Sequence, residues 1–300
     1  MTSKLSESLL VVNADDFGMS TSATRGIARG HLDGIITSAS LVATTDAYEE
    51  AVRTLKEECP LLGVGLHFTL TEGVPVSGRA NVPDLSDEAG DFKWTFSSLF
   101  FAMNTARRAV LLEQIEIELR AQLDRLEKDG ISIDHINSER HVHMIPEIYK
   151  IVVDVAAERG IPFVRSIKDV GWRYLNATCL DSMVRRGSLV KWALLTRFAR
   201  INARCTVPGV KNPDQYASVL YTGEMGEILD RVIEDPPTGV TEVAVHPGIP
   251  GLGQSEHIKN PKLRRYLSSP SRRRELEACL ISLEGRTAGR FSDAAKLADV

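Results

Sequence analysis

Short apolar runs rich in β-branched residues alternate along this chain with stretches of helical periodicity. This alternation predicts repeated strand–helix units, and hence an α/β fold with a mainly parallel sheet and outer helices. Periodicity alone does not separate an open sheet from a barrel. The predicted strands cover residues 9–13, 36–43, 64–69, 131–136, 161–166 and 241–245. The predicted helices cover residues 21–31, 46–57, 112–126 and 146–159.

The length and charge of the chain narrow its class. The alternation of strand and helix patterns along the 300 residues is interrupted only at about 170–221. We therefore expect a single domain, 1–300, with a helical insertion there. Lys and Arg total 36 against 40 Asp and Glu, and this slightly acidic balance disfavours a nucleic-acid binder. No apolar run reaches 18 residues and the four cysteines form no CxxC pair, so we expect a cytoplasmic protein.

Polar clusters follow several predicted strands, where α/β folds collect functional residues. Asp15 and Asp16 come directly after the first strand. Two adjacent carboxylates can divide the chemistry, one binding a metal ion and the other accepting a proton. An Asx turn that caps the next helix needs only one aspartate, so the pair favours a functional role.

Histidines supply the remaining clusters. His67 ends the third strand, and His246 ends the last one before a Pro-Gly turn. Residues 135–143 hold three histidines and a glutamate, ligand types that suit Zn²⁺, Mn²⁺, Fe²⁺ or Ni²⁺. The combination predicts a metal-dependent hydrolase in which the late histidine acts as a general acid.

The four clusters, in this order, resemble the YdjC-like carbohydrate deacetylase family, which includes chitooligosaccharide deacetylases and hopanoid-associated proteins. The motifs that carry the resemblance are NADDFGMS, GLHFTLTEG, HINSERHVHMIPEI and VAVHPG. The resemblance implies a deformed (β/α) TIM-like barrel, one divalent metal ion (Mg, Mn, Fe or Zn) and removal of the acetyl group from an N-acetylated amino sugar. It also implies that Asp16 and His67 bind the metal, that Asp15 is the base, and that His246 protonates the leaving amine or holds the acid that does.

One departure from the family motif concerns the third metal ligand. Glu139 stands where the family has a histidine, and Asn137 stands where aspartate is common. We rank first a site completed by Glu139, which leans toward Mn²⁺, Mg²⁺ or Fe²⁺ more than Zn²⁺. In the second alternative His141 or His143 is the ligand and Glu139 pairs with Arg140. In the third, the metal site is lost.

Other residues are expected to contact substrate. Arg165 follows the fifth strand and is expected to hold a sugar hydroxyl, a phosphate or the aspartate pair. His141 and His143 are expected to bind substrate if they are not ligands. In the insertion, an apolar helix face and a basic one suit an anionic membrane, although a packed outer helix is the commoner explanation. The apolar face is Val190, Leu194, Phe198 and Ile201, and the basic face is Arg197, Arg200 and Arg204.

A second basic cluster, residues 264–274, adds weight to an anionic partner or substrate. The expected partner is a small-molecule or oligosaccharide substrate, with a lipid or nucleotide carrier fitting both basic clusters, and not a nucleic acid. Peripheral contact with the inner membrane face and a homodimer stay open. Two other functions also stay open: hydrolysis of a different amide or ester by the same site, and carbohydrate binding without catalysis.

Overall fold

A single curled sheet of parallel strands organises the computed structural model, which describes residues 8–170, 173–174, 188–221, 225–253, 258–281 and 288–297. The strands are β1 (Leu9–Phe17), β2 (Ser38–Leu41), β3 (Gly63–Phe68), β4 (His135–Ser138), β5 (Phe163–Val164), β6 (Gln215–Ala217) and β7 (Val240–Val245). Their order across the sheet is β5-β4-β3-β2-β1-β7-β6, and every pairing is parallel.

Helices connect and cover these strands, as the alternating sequence pattern predicted. The first begins after Ser20, whose side chain accepts a hydrogen bond from the Ala23 amide and caps it. The helices of the described residues are α1 (Thr21–Leu32), α2 (Tyr48–Glu57), α3 (Phe96–Ala102), α4 (Arg108–Lys128), α5 (Pro146–Glu158), α6 (Ser188–Asn202), α7 (Met225–Glu234), α8 (Pro261–Leu267), α9 (Pro270–Cys279) and α10 (Phe291–Leu297), with a 3₁₀ turn at Glu139–Met144. None of these helices is both long and apolar enough to cross a membrane.

The sheet curls until its two edges approach each other. Isolated parallel bridges join Phe163 to Lys211 and Asp169 to Tyr216, so the segment after β5 touches the segment leading into β6. The result is a half-barrel, consistent with the TIM-like barrel that was expected.

The interior of the half-barrel is apolar at one end and polar at the other. Leu9 and Val11 of β1 pack with Phe163, Phe291 and Ala294, so α10 closes the end where the strands begin. Toward the carboxyl ends of the strands, the inward-facing positions become polar. The apolar end therefore supports a polar floor, and the chemistry must lie at the opposite end of the strands.

The structure does not confirm the predicted helical insertion. Residues 171–172 and 175–187 lie outside the described part of the chain, and the rest of the range 170–221 contains both α6 and β6. Because β6 is a strand of the main sheet, that end of the range belongs to the half-barrel. The predicted apolar face of α6 is also wrong in part: Phe198 is buried, but Val190 is 76% exposed because the helix packs through Leu195 and Ala199 instead.

Candidate active site

A cavity of about 270 Å³ opens at the carboxyl ends of the strands and brings most of the predicted site residues together. Its polar floor and walls include Asp15, Asp16, His67, Glu139, His141 and His246. Its outer lining includes Arg140, Lys191 and Lys262. Residues from β1, β3, β7 and the turn after β4 thus converge because parallel strands present their carboxyl ends at the same edge.

The two adjacent aspartates point to different partners because β1 is irregular at its end. The pairing of β1 with β2 shifts register between Ala14 and Phe17, and Asp16 adopts a left-handed backbone with φ 74°. Such a conformation is uncommon for a residue other than glycine and is found mainly where the surroundings require it. This bulge allows both neighbouring carboxylates to face the cavity rather than opposite sides of the sheet.

Asp15 is held by a dense set of hydrogen-bond donors. Both Arg165 Nη atoms donate to its carboxylate at 2.7 Å, and the side-chain amides of Asn13 and Asn137 donate to Oδ1 at 2.9 and 3.2 Å. Burial works to raise the pKa of Asp15, but the Arg165 guanidinium outweighs it and holds that pKa well below its usual range. Asp15 is therefore a fixed, ionised carboxylate at neutral pH.

Arg165 does not reach the cavity, which corrects the expectation that it binds substrate. It is 1% exposed, and besides Asp15 it donates from Nε and Nη2 to Glu242 of β7 at 2.9 and 2.6 Å. Of the partners expected for it, it contacts one member of the aspartate pair, Asp15. It orients Asp15 from below the cavity floor.

Asp16 is shared between an arginine and a histidine. Arg272 Nη1 of α9 lies 2.6 Å from Oδ2, while His67 Nε2 lies 3.6 Å from Oδ1. Burial opposes ionisation, yet the neighbouring Arg272 charge leaves the pKa of Asp16 below its usual value. Arg272 was counted in the basic cluster expected to favour an anionic partner or substrate, but it is buried and bonded to Asp16, so it does not serve that purpose.

The ring orientation of His67 is set by its neighbour across the sheet. His67 pairs with Asn137 in the β3–β4 register, and its Nδ1 lies 2.6 Å from Asn137 Oδ1. Asn137 must turn its amide nitrogen toward Asp15, since a carboxylate only accepts. His67 Nδ1 therefore carries a hydrogen, which leaves the lone pair of a neutral ring on Nε2, facing Asp16.

Glu139 lies at the wall of the cavity with both carboxylate oxygens occupied. Arg140 Nε donates to Oε1 at 2.7 Å, and the Thr71 hydroxyl donates to Oε2. Burial raises the pKa of Glu139, and the adjacent Arg140 charge offsets only part of that rise. Arg140 itself adopts a left-handed backbone, which folds its side chain back onto Glu139.

The two histidines that follow have different surroundings. His141 lines the cavity, and its buried Nδ1 has no hydrogen-bond partner within the described part of the chain. Burial, with Lys191 and Arg165 nearby, holds the pKa of His141 well below its usual value. His143 is fully buried between the Ser138 hydroxyl and the Arg165 carbonyl, and burial lowers its pKa to about 3. It does not line the cavity, which corrects the expectation that it contacts substrate.

His246 faces Asp15 across the cavity floor. Its Nε2 lies 3.8 Å from Asp15 Oδ2, and its Nδ1 lies 3.7 Å from Glu275 Oε2. Glu275 also accepts the His246 backbone amide at 2.6 Å, which fixes the end of β7 against α9. Burial works to lower the pKa of His246, but Glu275 and the two aspartates raise it above its ordinary value.

Asp16 and His67 form part of a donor set for the expected divalent ion. Asp16 Oδ1 and His67 Nε2 present lone pairs to a common space 3.6 Å across, which fits two ligands of one ion. A third donor is not in place: no group of three His, Cys, Asp or Glu among the described residues is arranged to hold a metal. Glu139 and His141 line the same cavity and are the side chains available to complete the set.

The chain is similar in sequence to proteins named as deacetylases. A carbohydrate deacetylase from Brevibacillus brevis is 43% identical over 153 residues, which are 51% of this chain and 57% of that protein. A chitooligosaccharide deacetylase from Proteus mirabilis is 39% identical over 155 residues, again 51% of this chain and 57% of that protein. The chain therefore spans little more than half the length of these relatives.

The fold and the family are matched over far more of the chain. A crystal structure from Enterococcus faecalis V583, named as a candidate cellobiose-phosphate cleavage protein, covers 96% of this chain and 99% of its own with a TM-score of 0.64. At 23% identity, that likeness establishes the shared fold. The family model described as YdjC-like protein matches residues 9–282, and the chain therefore belongs to the YdjC-like family.

Proposed function

We propose that this protein hydrolyses the acetyl amide of an N-acetylated amino sugar. The observation that carries the proposal is the pair formed by Asp15 and His246, an ionised carboxylate and an imidazole with a raised pKa that face each other at 3.8 Å. They lie beside the Asp16–His67 donor pair in one cavity. Relatives named carbohydrate deacetylase and chitooligosaccharide deacetylase add support for the substrate class.

The reaction needs a proton acceptor for water and a proton donor for the leaving nitrogen. Asp15 accepts the water proton as the water oxygen bonds to the acetyl carbon, and Arg165 with the two asparagine amides keeps its carboxylate aimed at the cavity. His246, whose raised pKa favours the protonated ring, donates its Nε2 proton to the amide nitrogen as the carbon–nitrogen bond breaks. The products are acetate and the free amino sugar.

The weak basicity of Asp15 explains why a metal belongs in the proposal. A carboxylate whose pKa is held this low removes a proton efficiently only from an acidified water molecule. A divalent ion, when bound, would supply that acidity and would polarise the acetyl carbonyl. Asp16 and His67 would hold it, with Glu139 as the third ligand and His141 as the alternative.

A second cavity favours a lipid-linked substrate over a nucleotide-linked one. It measures about 230 Å³ and is lined by Phe96, Leu194 and Leu195, together with Arg140 and Lys191, which also line the catalytic cavity. We name it the apolar annex. A nucleotide offers phosphates and a base to such a space, whereas a hydrocarbon chain matches its apolar wall. The proposed substrate is an N-acetylamino sugar whose apolar aglycone enters the annex.

Acetate release is the direct test of this function. The protein is incubated with soluble N-acetylglucosamine oligomers and with lipid-linked N-acetylglucosamine, before and after chelator treatment and Mn²⁺ addition. Release that is lost with chelator and restored by Mn²⁺ supports the proposal, and a higher kcat/KM for the lipid-linked sugar supports the annex. Metal-dependent hydrolysis of other amides or esters, without acetate from sugars, would replace the substrate class. Sugar binding without turnover would favour a carbohydrate-binding protein.

A further inference from the structure

A row of hydrogen bonds crosses the interior of the half-barrel below the catalytic cavity. Asp134 Oδ1 lies 2.8 Å from His135 Nδ1, and His135 Nε2 lies 3.0 Å from the Ser40 hydroxyl of β2. Because the carboxylate of Asp134 accepts, His135 Nδ1 carries the hydrogen, and Nε2 of the neutral ring accepts from Ser40. The Ser40 hydrogen is thus directed downward, away from the cavity.

The Ser40 oxygen is left to accept from above. Two side-chain amides donate to it, from Asn13 at 2.9 Å and from Asn137 at 2.5 Å. Each of these amides also donates to Asp15 Oδ1. Ser40 and both asparagines are fully buried, so water does not replace any of these bonds, and an amide released from Ser40 would be held by its bond to Asp15 alone.

The orientation of Asn137 has a second consequence at His67. With its nitrogen held by Ser40 and Asp15, Asn137 presents Oδ1 to His67 Nδ1 at 2.6 Å. If the amide turned over, its nitrogen would donate to His67, whose hydrogen would move to Nε2 and point at Asp16. The direction of the Ser40 hydroxyl therefore affects two groups. It affects the orientation of Asp15, the proposed base, and the tautomer of His67, a proposed metal ligand.

We infer that Ser40 is a positioning residue that fixes the tautomer of His67 and the aim of Asp15 through Asn137 and Asn13. The inference rests on the proposed function for its catalytic meaning, but the tautomer is a property of the protein alone. Gly65 of β3 is part of the same arrangement, since a Cβ there would lie 2.4 Å from the His135 ring. The sheet thus leaves space for the ring that orients Ser40.

The chain offers a closely matched control. Ser38 lies two residues before Ser40 on the same strand, is equally buried, and its hydroxyl has no hydrogen-bond partner among the residues that the structure describes. Ser40→Ala and Ser38→Ala therefore remove the same group from the same strand, and only the first breaks the row. A general loss of packing would affect both variants alike.

The test is ¹⁵N NMR of histidine-labelled, chelator-treated protein, with the His67 signals assigned from a His67→Gln variant. We expect a protonated Nδ1 and a bare Nε2 in the wild type and in Ser38→Ala, and a shift toward the opposite tautomer in Ser40→Ala. With Mn²⁺ restored, kcat should fall roughly 10- to 100-fold in Ser40→Ala with KM unchanged. His135→Phe, which removes the acceptor of the Ser40 hydroxyl but keeps an aromatic ring, should give the same shift.

Wild-type His67 shifts in a folded Ser40→Ala or His135→Phe protein would overturn the inference, and either folded variant decides the matter. If the wild type releases no acetate, the proposed function fails, but the His67 nitrogen shifts still decide the role of Ser40. If acetate is released and the shifts do not respond to Ser40→Ala, the function stands and the positioning role is discarded.

Discussion

The guanidinium of Arg272 and the carboxylate of Asp16 form an ion pair at 2.6 Å, and Arg272 has no exposed surface. The two residues lie at opposite ends of the sequence, so this pair ties α9 to the end of β1. It also places a permanent positive charge beside the residue proposed to bind a metal. The aspartate is thereby kept ionised whether or not an ion is bound.

Removing Arg272 should destabilise the fold strongly. Arg272→Gln leaves Asp16 as a buried unpaired charge, and we expect a loss of about 3 kcal/mol in the free energy of unfolding, measured by urea denaturation. The exposed neighbour Arg273→Gln should change it by less than about 0.5 kcal/mol. Adding Asp16→Asn to Arg272→Gln should restore part of the loss. Simple additivity of the two changes would contradict this account of the pair.

Asp15→Asn should abolish turnover with little change in metal content. Asparagine cannot take up the water proton, so we expect kcat to fall by about 10²- to 10⁴-fold, as measured by acetate release. Asp33→Asn, at an exposed position, serves as the control. Metal content measured alongside separates a lost base from a lost ligand, because Asp16 and His67 are unchanged. Normal turnover in Asp15→Asn would exclude it as the base.

Glu139 and His141 can be separated as candidates for the third ligand. Glu139→Ala should weaken Mn²⁺ binding by at least roughly 10-fold in a calorimetric titration, whereas His141→Ala should leave it nearly unchanged. The reverse pattern would make the histidine the ligand and leave Glu139 as the partner of Arg140. Equal binding in both variants would show that neither residue completes the site.

The strand ends were predictable because parallel strands gather their carboxyl ends, and Asp15, Asp16, His67 and His246 do share one cavity. The partners that tune these groups were not predictable. Arg272 and Glu275 lie on a short helix whose sequence gives no sign that these two side chains turn inward. Their contacts arise from tertiary packing across the whole chain, which local periodicity does not describe.

Arg165 illustrates the same limit from the other side. Its position after β5 was predicted from the sequence. The sequence does not distinguish whether an arginine at a strand end binds substrate or is a buried counter-ion. The burial of Glu242 decides between these two roles. Asp15 and Glu242 are both buried carboxylates and require a cation that bonds both, and Arg165 is that cation. Ser40 was likewise not predicted, because a single small polar residue within a strand carries no distinct pattern.

The pH dependence of kcat/KM should reflect the protonation of His246. Its pKa is raised above its ordinary value in the folded protein, so the proton-donating form persists to higher pH than in a free imidazole and is lost as the pH rises through the raised value. The kcat/KM profile should therefore fall on the alkaline side. Glu275→Gln removes the nearest source of that rise and should move the alkaline limb to lower pH. Glu277→Gln on the same helix is the control, and an unmoved limb in Glu275→Gln would assign it to another group.

The apolar annex can be tested by placing the same charge at two sites on α6. Leu194 lines the annex, whereas Val190, one turn earlier, is largely exposed and does not. Leu194→Asp should raise KM for lipid-linked N-acetylglucosamine at least roughly 10-fold, because a carboxylate in the wall of the annex would lose hydration when a hydrocarbon chain enters, and should leave KM for soluble oligomers unchanged. Val190→Asp should change neither constant. An equal rise in KM for both substrates in Leu194→Asp would mean that the annex does not receive an aglycone. A rise in KM confined to Val190→Asp would instead indicate contact of α6 with the lipid surface itself.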